Sequence, residues 1–154
     1  MCTGETDVDG AGAVDESAPL NPTNPYAATK AAAEMLALSY RHSFKLPLIT
    51  TRGNNVFGPG QFPEKVVPRF LRQLLAGRKM TVQGRGEAKR SLLFVEDCAN
   101  AIVHALRCGR VGAIYNIGTQ NELSVCQVAQ VLPRYSLSHA WHAMLNAVSP
   151  RMVS

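Results

Sequence analysis

The 154-residue chain predicts an α/β fold. Stretches of helical periodicity alternate with short β-rich runs between Pro25 and Leu132, and no segment repeats. Apolar residues make up 46% of the chain, the usual share for a domain with its own core. The length suits one domain.

The elements follow in order. Residues 1–19 are rich in Gly, Ala and acids without periodicity, and predict a mobile acidic arm. Asn21 to Pro25 is a turn with two prolines, and Asn24, preceding Pro25, is steered away from helix. Pro25 suits a first helical turn, and Ala27 to Leu38 are mostly strong helix formers. Ala28, Ala32, Met35, Leu36 and Ser39 share a stripe of mainly small residues, which lets a second helix or a partner subunit come close. Leu46 to Thr51 reads as a buried strand. Arg52 to Glu64, with Gly53, Gly58, Pro59, Gly60 and Pro63, reads as a long polar loop of the kind that carries ligand contacts.

Lys65 to Ala76 predicts an amphipathic helix, with Val66, Val67, Phe70, Leu71, Leu74 and Leu75 opposite Arg69 and Arg72. Gly77 stops it. Met80–Val82 and Leu92–Val95 predict two short strands around a turn containing Gly84 and Gly86. Glu96 and Asp97 complement the N-terminal dipole of a helix that runs to about Arg107, before Gly109. Ala113 to Gly118 reads as a strand ending in a turn. Ser124 with Gln127 forms a capping-box pattern, predicting a helix to Leu132 that Pro133 ends. Residues 138–148 predict a weak helix within a tail, 133–154.

Several function classes drop out. No run of about 18 apolar residues occurs, which argues against a membrane helix. The N-terminus lacks the basic and apolar regions of a signal peptide. Cys2, Cys98, Cys108 and Cys126 form no CxxC pair, which fits reduced thiols in a cytoplasmic protein. His42, His104, His139 and His142 have no companions at ligand spacing, so no metal site is expected. Net charge is +5, with five acids and no Lys or Arg in residues 1–25. The basic residues beyond are scattered singly, without interleaved aromatics. They favour a small phosphorylated ligand over nucleic acid.

Tyr26 and Lys30 lie four residues apart at the start of the first helix, about one turn, so they share a face. A phenol's pKa of about 10 is too high for a base near neutral pH, and an ammonium one turn away favours the phenolate. The pair therefore suits a tuned acid/base if a substrate hydroxyl is brought to the phenol. An exposed helix pair with no such role fits the spacing equally well.

Asn24-Pro25-Tyr26-(x)3-Lys30 is followed by Thr50-Thr51-Arg52-Gly53-Asn54-Asn55-Val56-Phe57-Gly58-Pro59, by Phe62 to Pro68, by Arg90, by Val95-Glu96-Asp97 and by Tyr115 to Gly118. In this order the set resembles the extended short-chain dehydrogenase/reductase superfamily, over about residues 4–132. It looks most like nucleotide-sugar 4,6-dehydratases. Gly4 to Asp7 and Thr51 to Asn55 resemble the UDP-glucose 4,6-dehydratase part of rhamnose synthases, with dTDP-glucose 4,6-dehydratases close behind.

The resemblance implies the C-terminal part of a doubly wound Rossmann-type sheet plus part of a small substrate-binding lobe, within residues 20–132. It implies NAD as cofactor and a nucleoside-diphosphate glucose as substrate, in rhamnose or deoxysugar synthesis. In such enzymes the tyrosine takes the 4-hydroxyl proton while NAD+ takes hydride from C4. Water then leaves across C5 and C6, and hydride returns to C6. Tyr26 matches the base, and Lys30 the lysine that lowers its pKa and binds the nicotinamide ribose. Asn55 matches a cofactor-pocket residue and Asn54 a sugar-nucleotide contact. Lys65 and Val66 match the segment at the nucleotide end, and Thr81, Val82 and Gln83 the strand beside the nucleobase. Arg90 matches an arginine on the diphosphate, where a planar fork suits phosphate oxygens. Asn116 matches another contact nearby. The family also implies a homodimer through the Tyr26 helix.

The chain departs from the family pattern in three ways. No Gly-x-Gly-x-x-Gly follows a strand, so no dinucleotide fingerprint is present. Gly4 to Asp7 align just after the family's Thr-Asp-Glu segment, which supplies the acid and base for water elimination. The 133–154 tail matches nothing in the family. Taken alone, the chain is therefore expected to be inactive. A 4-epimerase or a UDP-glucuronate decarboxylase shares the tyrosine and lysine, and an inactive binding or assembly module remains the non-enzyme alternative.

Overall fold

The computed structural model describes residues 15–120 and 122–135. Residues 1–14 of the expected arm and the expected helix over 138–148 lie outside them. Helices and strands alternate as predicted: α1 Pro25–Phe44, β1 Thr50–Gly53, β2 Asn55–Phe57, α2 Val66–Leu75, β3 Lys89–Phe94, α3 Val95–Cys108, β4 Ile114–Ile117, β5 Glu122–Ser124 and α4 Val125–Tyr135. The described residues fall into two compact units, one within Met1–Asn54 and Asp97–Gln120, the other within Asn55–Glu96 and Asn121–Ser154.

In the first unit, α1 starts where the sequence predicts. Asn24 is extended and its side chain accepts the Ala27 N–H at 2.9 Å, while Pro25 takes the first helical position. The helix continues past Leu38 to Phe44, with Arg41 and His42 favourably placed at the negative end of its dipole. Lys45 closes it in the left-handed region at φ 57°. Ala27, Ala31 and Glu34 form its buried stripe. β1 pairs in parallel with β4, from Thr50↔Ile114 to Gly53↔Ile117. The strand thus starts later than the expected Leu46, because Lys45 turns the chain and Pro47 has no N–H to contribute. Leu48 already offers its carbonyl to the Gly112 N–H at 2.7 Å, and regular pairing follows from Thr50. Gly109 ends α3 as expected, its N–H closing on the Ala105 carbonyl at 2.8 Å.

The described end of the expected mobile arm is a bonded turn instead. The Asp15 carboxylate accepts from the Ser17 N–H (2.8 Å) and hydroxyl (2.6 Å), an Asx-type turn that the composition of the segment did not reveal.

In the second unit, the strands run in the order β2-β3-β5. β2 is parallel to β3 (Asn55↔Leu92 to Phe57↔Phe94), and β3 is antiparallel to β5 (Lys89↔Ser124 to Ser91↔Glu122). β2 lies inside the stretch expected to be loop. Three residues are too few to show a period, and what makes them a strand is the edge of β3 together with the Phe57–Phe94 ring contact at 5.6 Å. α2 lays Val67, Phe70 and Leu71 against Val128 and Leu132 of α4 to form the core, with Phe70 fully buried. Burying such a ring is worth about 1.5–3 kcal/mol.

Two further expectations are corrected here. Met80–Val82 is not a strand. Met80 and Val82 do pack on the core, but the polar groups of Thr81 are taken by side chains of α2 rather than by a neighbouring strand. Pro133 does not end α4, which continues to Tyr135. The proline φ is compatible with helix, and the bond it forgoes lies near the helix end. The capping box forms as predicted: Gln127 N–H donates to Ser124 Oγ (3.1 Å) and Ser124 N–H to Gln127 Oε1 (2.8 Å).

Candidate functional site

In the first unit, the buried stripe of α1 turns Tyr26 and Lys30 outward, one turn apart. Tyr26 is 71% exposed and Lys30 is exposed. Among the described residues neither the phenol nor the ammonium is held by a hydrogen bond or an ion pair. Both are therefore available to an incoming hydroxyl or ribose.

Beneath them lies an ion pair. Glu34, one turn beyond Lys30, receives Arg52 of β1 through both carboxylate oxygens: Nη2 to Oε1 at 2.7 Å and Nε to Oε2 at 3.2 Å. The side chains are only 10% and 6% exposed. Arg52 also donates through Nη1 to the Glu16 carbonyl at 3.2 Å. The Glu16 carboxylate in turn accepts the Asn116 N–H at 2.8 Å, and Asn116 is the register partner of Arg52 on β4. That N–H is the main reason the Glu16 carboxyl is held below the ordinary glutamate value; its own backbone N–H and Arg52 act the same way, against burial and the neighbouring Asp15. The network ties the end of the arm and α1 to the strand ends that carry Asn54 and Asn116. Asn54 donates Nδ2 to the Thr119 carbonyl at 3.4 Å, and its side chain occupies the space that a Cβ on Gly118 would fill. A side chain at 118 would therefore displace Asn54 from this position.

In the second unit, Asn55 is exposed on β2, and exposed Lys65 is the N-cap residue of α2 without a side-chain cap bond. Val66 and Val82 are half-buried and pack on the core, which leaves their backbone rather than their side chains for a ligand. Thr81 and Gln83 are exposed, as is Arg90 on β3, whose Nη1 donates to the Lys89 carbonyl at 2.8 Å.

The sequence-derived site residues thus group as Tyr26, Lys30, Asn54 and Asn116 in one unit and Asn55, Lys65, Val66, Thr81, Val82, Gln83 and Arg90 in the other. Sequence reasoning missed Glu16, Glu34 and Arg52. Glu34 had a signal: it is an acid continuing the inner stripe of Ala27 and Ala31. Among the described residues no group of three His, Cys, Asp or Glu side chains gathers as a metal site. No described helix is long and apolar enough to cross a membrane.

Residues 4–118 match the model of the NAD dependent epimerase/dehydratase family. A trifunctional UDP-glucose 4,6-dehydratase/UDP-4-keto-6-deoxy-D-glucose 3,5-epimerase/UDP-4-keto-L-rhamnose-reductase of Arabidopsis thaliana is 50% identical over 127 residues, covering 82% of this chain and 19% of that protein. Among solved structures, dTDP-glucose 4,6-dehydratase from Bacillus anthracis, in complex with NAD, is 39% identical. It superposes with a TM-score of 0.76 over 84% of this chain and 42% of that one. UDP-glucuronic acid 4-epimerase from Bacillus cereus, with UDP-glucuronic acid and NAD, is 30% identical at a TM-score of 0.75, over 84% of this chain and 42% of that one. The chain spans about a fifth of the length of the plant relative.

Proposed function

Because this chain belongs to the NAD dependent epimerase/dehydratase family, we propose that it supplies the tyrosine–lysine half of a nucleotide-sugar 4,6-dehydratase acting on UDP- or dTDP-glucose. The observation that carries the reading is the exposed Tyr26–Lys30 pair on a capped, inwardly anchored helix. Identity of 50% to a protein named for UDP-glucose 4,6-dehydration supports the substrate class. Tyr26 takes the proton of the sugar 4-hydroxyl, and Lys30 holds the nicotinamide ribose beside it. Asn55 lines the cofactor pocket. Asn54 and Asn116 meet the sugar diphosphate, Arg90 binds its phosphate oxygens as a planar fork, and Lys65, Val66 and Thr81 to Gln83 form the nucleotide end. The free outward side chains of Tyr26 and Lys30 fit the nicotinamide end of NAD+, which when bound would supply the hydride acceptor for C4 and the hydride returned to C6.

The 154 residues carry no Gly-x-Gly-x-x-Gly, so taken alone they are expected to be inactive. The reading includes a cytoplasmic location, which the free thiols of Cys98, Cys108 and Cys126 fit. It also includes a homodimer through α1, whose Met35, Leu36, Tyr40 and Phe44 are all more than half exposed.

The test is to incubate the protein, purified at its native length, with UDP-glucose or dTDP-glucose and NAD+. A product lighter by one water, lost in Tyr26→Phe, is expected. A product of unchanged mass with inverted C4 would establish the 4-epimerase reading, which the likeness to the Bacillus cereus epimerase favours. Loss of carbon dioxide from UDP-glucuronate would establish the decarboxylase. No NAD+ binding would leave a binding or assembly module.

A further inference from the structure

Glu34 is a buried charge that the proposed chemistry does not use. It lies four residues after Lys30 on α1, and Lys30 lies four after Tyr26, so the three form a row at about one-turn spacing. A lysine and a glutamate so spaced have Cβ atoms about 5–6 Å apart and ordinarily attract each other. Here the carboxylate turns to β1 instead. Arg52 takes both of its oxygens, at 2.7 and 3.2 Å, and the two side chains are nearly buried. The guanidinium is itself fixed, since Nη1 donates to the Glu16 carbonyl at 3.2 Å. Lys30 stays exposed, and among the described residues its ammonium meets no carboxylate at ion-pair distance.

The chemistry of the two cations explains this partition. Arginine holds a carboxylate through a planar fork and is more weakly hydrated than an ammonium, so it wins a buried carboxylate from lysine. Without Arg52, the Glu34 carboxylate would be left as an uncompensated charge in need of another cation. On α1 the cationic side chains are Lys30, Arg41 and, when protonated, His42. Arg41 is two turns from Glu34 with its guanidinium against Gly112, and His42 is further along the helix. Lys30 is one turn away. We infer that Arg52 is a positioning residue for the proposed reaction: by holding Glu34, it leaves the Lys30 ammonium free for Tyr26 and the nicotinamide ribose. The inference rests on the nucleotide-sugar reading and gives Arg52 and Glu34 a part in that site.

The experiment measures how free the Lys30 amine is. Trace acetylation of the folded protein at its native length is read by mass spectrometry at Lys30, with exposed Lys79 as the internal reference. Calorimetry gives NAD+ binding by the same proteins. In Arg52→Met, Lys30 labelling should slow and NAD+ binding should weaken, each by about tenfold, the effect of one hydrogen bond between charged groups. Glu34→Gln breaks the same ion pair but leaves no carboxylate, so both should stay near the wild-type level. Arg52→Met/Glu34→Gln should restore both. Loss of folding cannot imitate this pattern, because an unfolded chain exposes Lys30 and labels faster. If Arg52→Met does not slow Lys30 labelling, the inference is wrong. If Arg52→Met and Glu34→Gln weaken NAD+ binding equally, the pair is structural only and the inference is again wrong. If labelling follows the expected pattern but the wild type binds no NAD+, the nucleotide-sugar reading falls and the binding role with it, while the charge partition stands.

Discussion

Replacing Glu34 with alanine should destabilise the protein by about 3 kcal/mol, and the reasoning comes from the surroundings of Arg52. The two side chains are 10% and 6% exposed and meet through two hydrogen bonds of 2.7 and 3.2 Å. Desolvating both charges consumed much of their mutual attraction, so the intact pair contributes little net stability. Removing one partner is different, because the other charge stays buried; such losses run to about 3–5 kcal/mol. The lower end applies here because Arg52 keeps its bond to the Glu16 carbonyl. The assay is urea unfolding followed by circular dichroism for the wild type, Glu34→Ala, Arg52→Met and the pair Glu34→Ala/Arg52→Met. The double variant should be more stable than Glu34→Ala, because it leaves no buried charge. A Glu34→Ala loss below about 1 kcal/mol, or a double-variant loss equal to the sum of the singles, would refute the account of a desolvated pair.

Glu16 predicts a pH dependence. Its folded pKa is depressed, so its contribution to stability is present above the ordinary value of 4.5 and is lost as pH falls through the lower folded value. Wild type and Glu16→Gln should therefore differ near neutral pH and converge in acid, with the protection of the Asn116 amide, its exchange relative to the intrinsic rate at each pH, falling over the same range in the wild type; parallel curves would exclude the bond. The dimer reading predicts that Leu36→Asp, on the exposed face of α1, gives a monomer by sedimentation, whereas an unchanged mass would move the interface elsewhere.

Local chemistry explains which elements could be read in advance. The α1 start, the Gly77 and Gly109 stops and the Ser124–Gln127 capping box each depend on residues within one turn of one another. β2, β5 and the true start of β1 depend on partners distant in the chain. β2 is a strand because β3 offers it an edge, and β1 begins at Thr50 because β4 does. Thr81 failed as a strand for the same reason in reverse, since side chains of α2 took its polar groups first.

The site divides along the same line. Tyr26 and Lys30 share a face by helical geometry, so their spacing was legible in the sequence, as were the residue types of Asn54, Asn116 and Arg90. Glu34, Arg52 and Glu16 read as three unrelated charges on a helix, a loop and an arm. Only the tertiary fold brings Arg52 of β1 to Glu34 on the inner stripe of α1, with both side chains buried, and only pairing of β1 with β4 sets Asn116 where Glu16 can reach its N–H. Spacing along the chain specifies contacts within a turn; contacts across the fold exist once burial has excluded water from both partners, and that depends on every element around them.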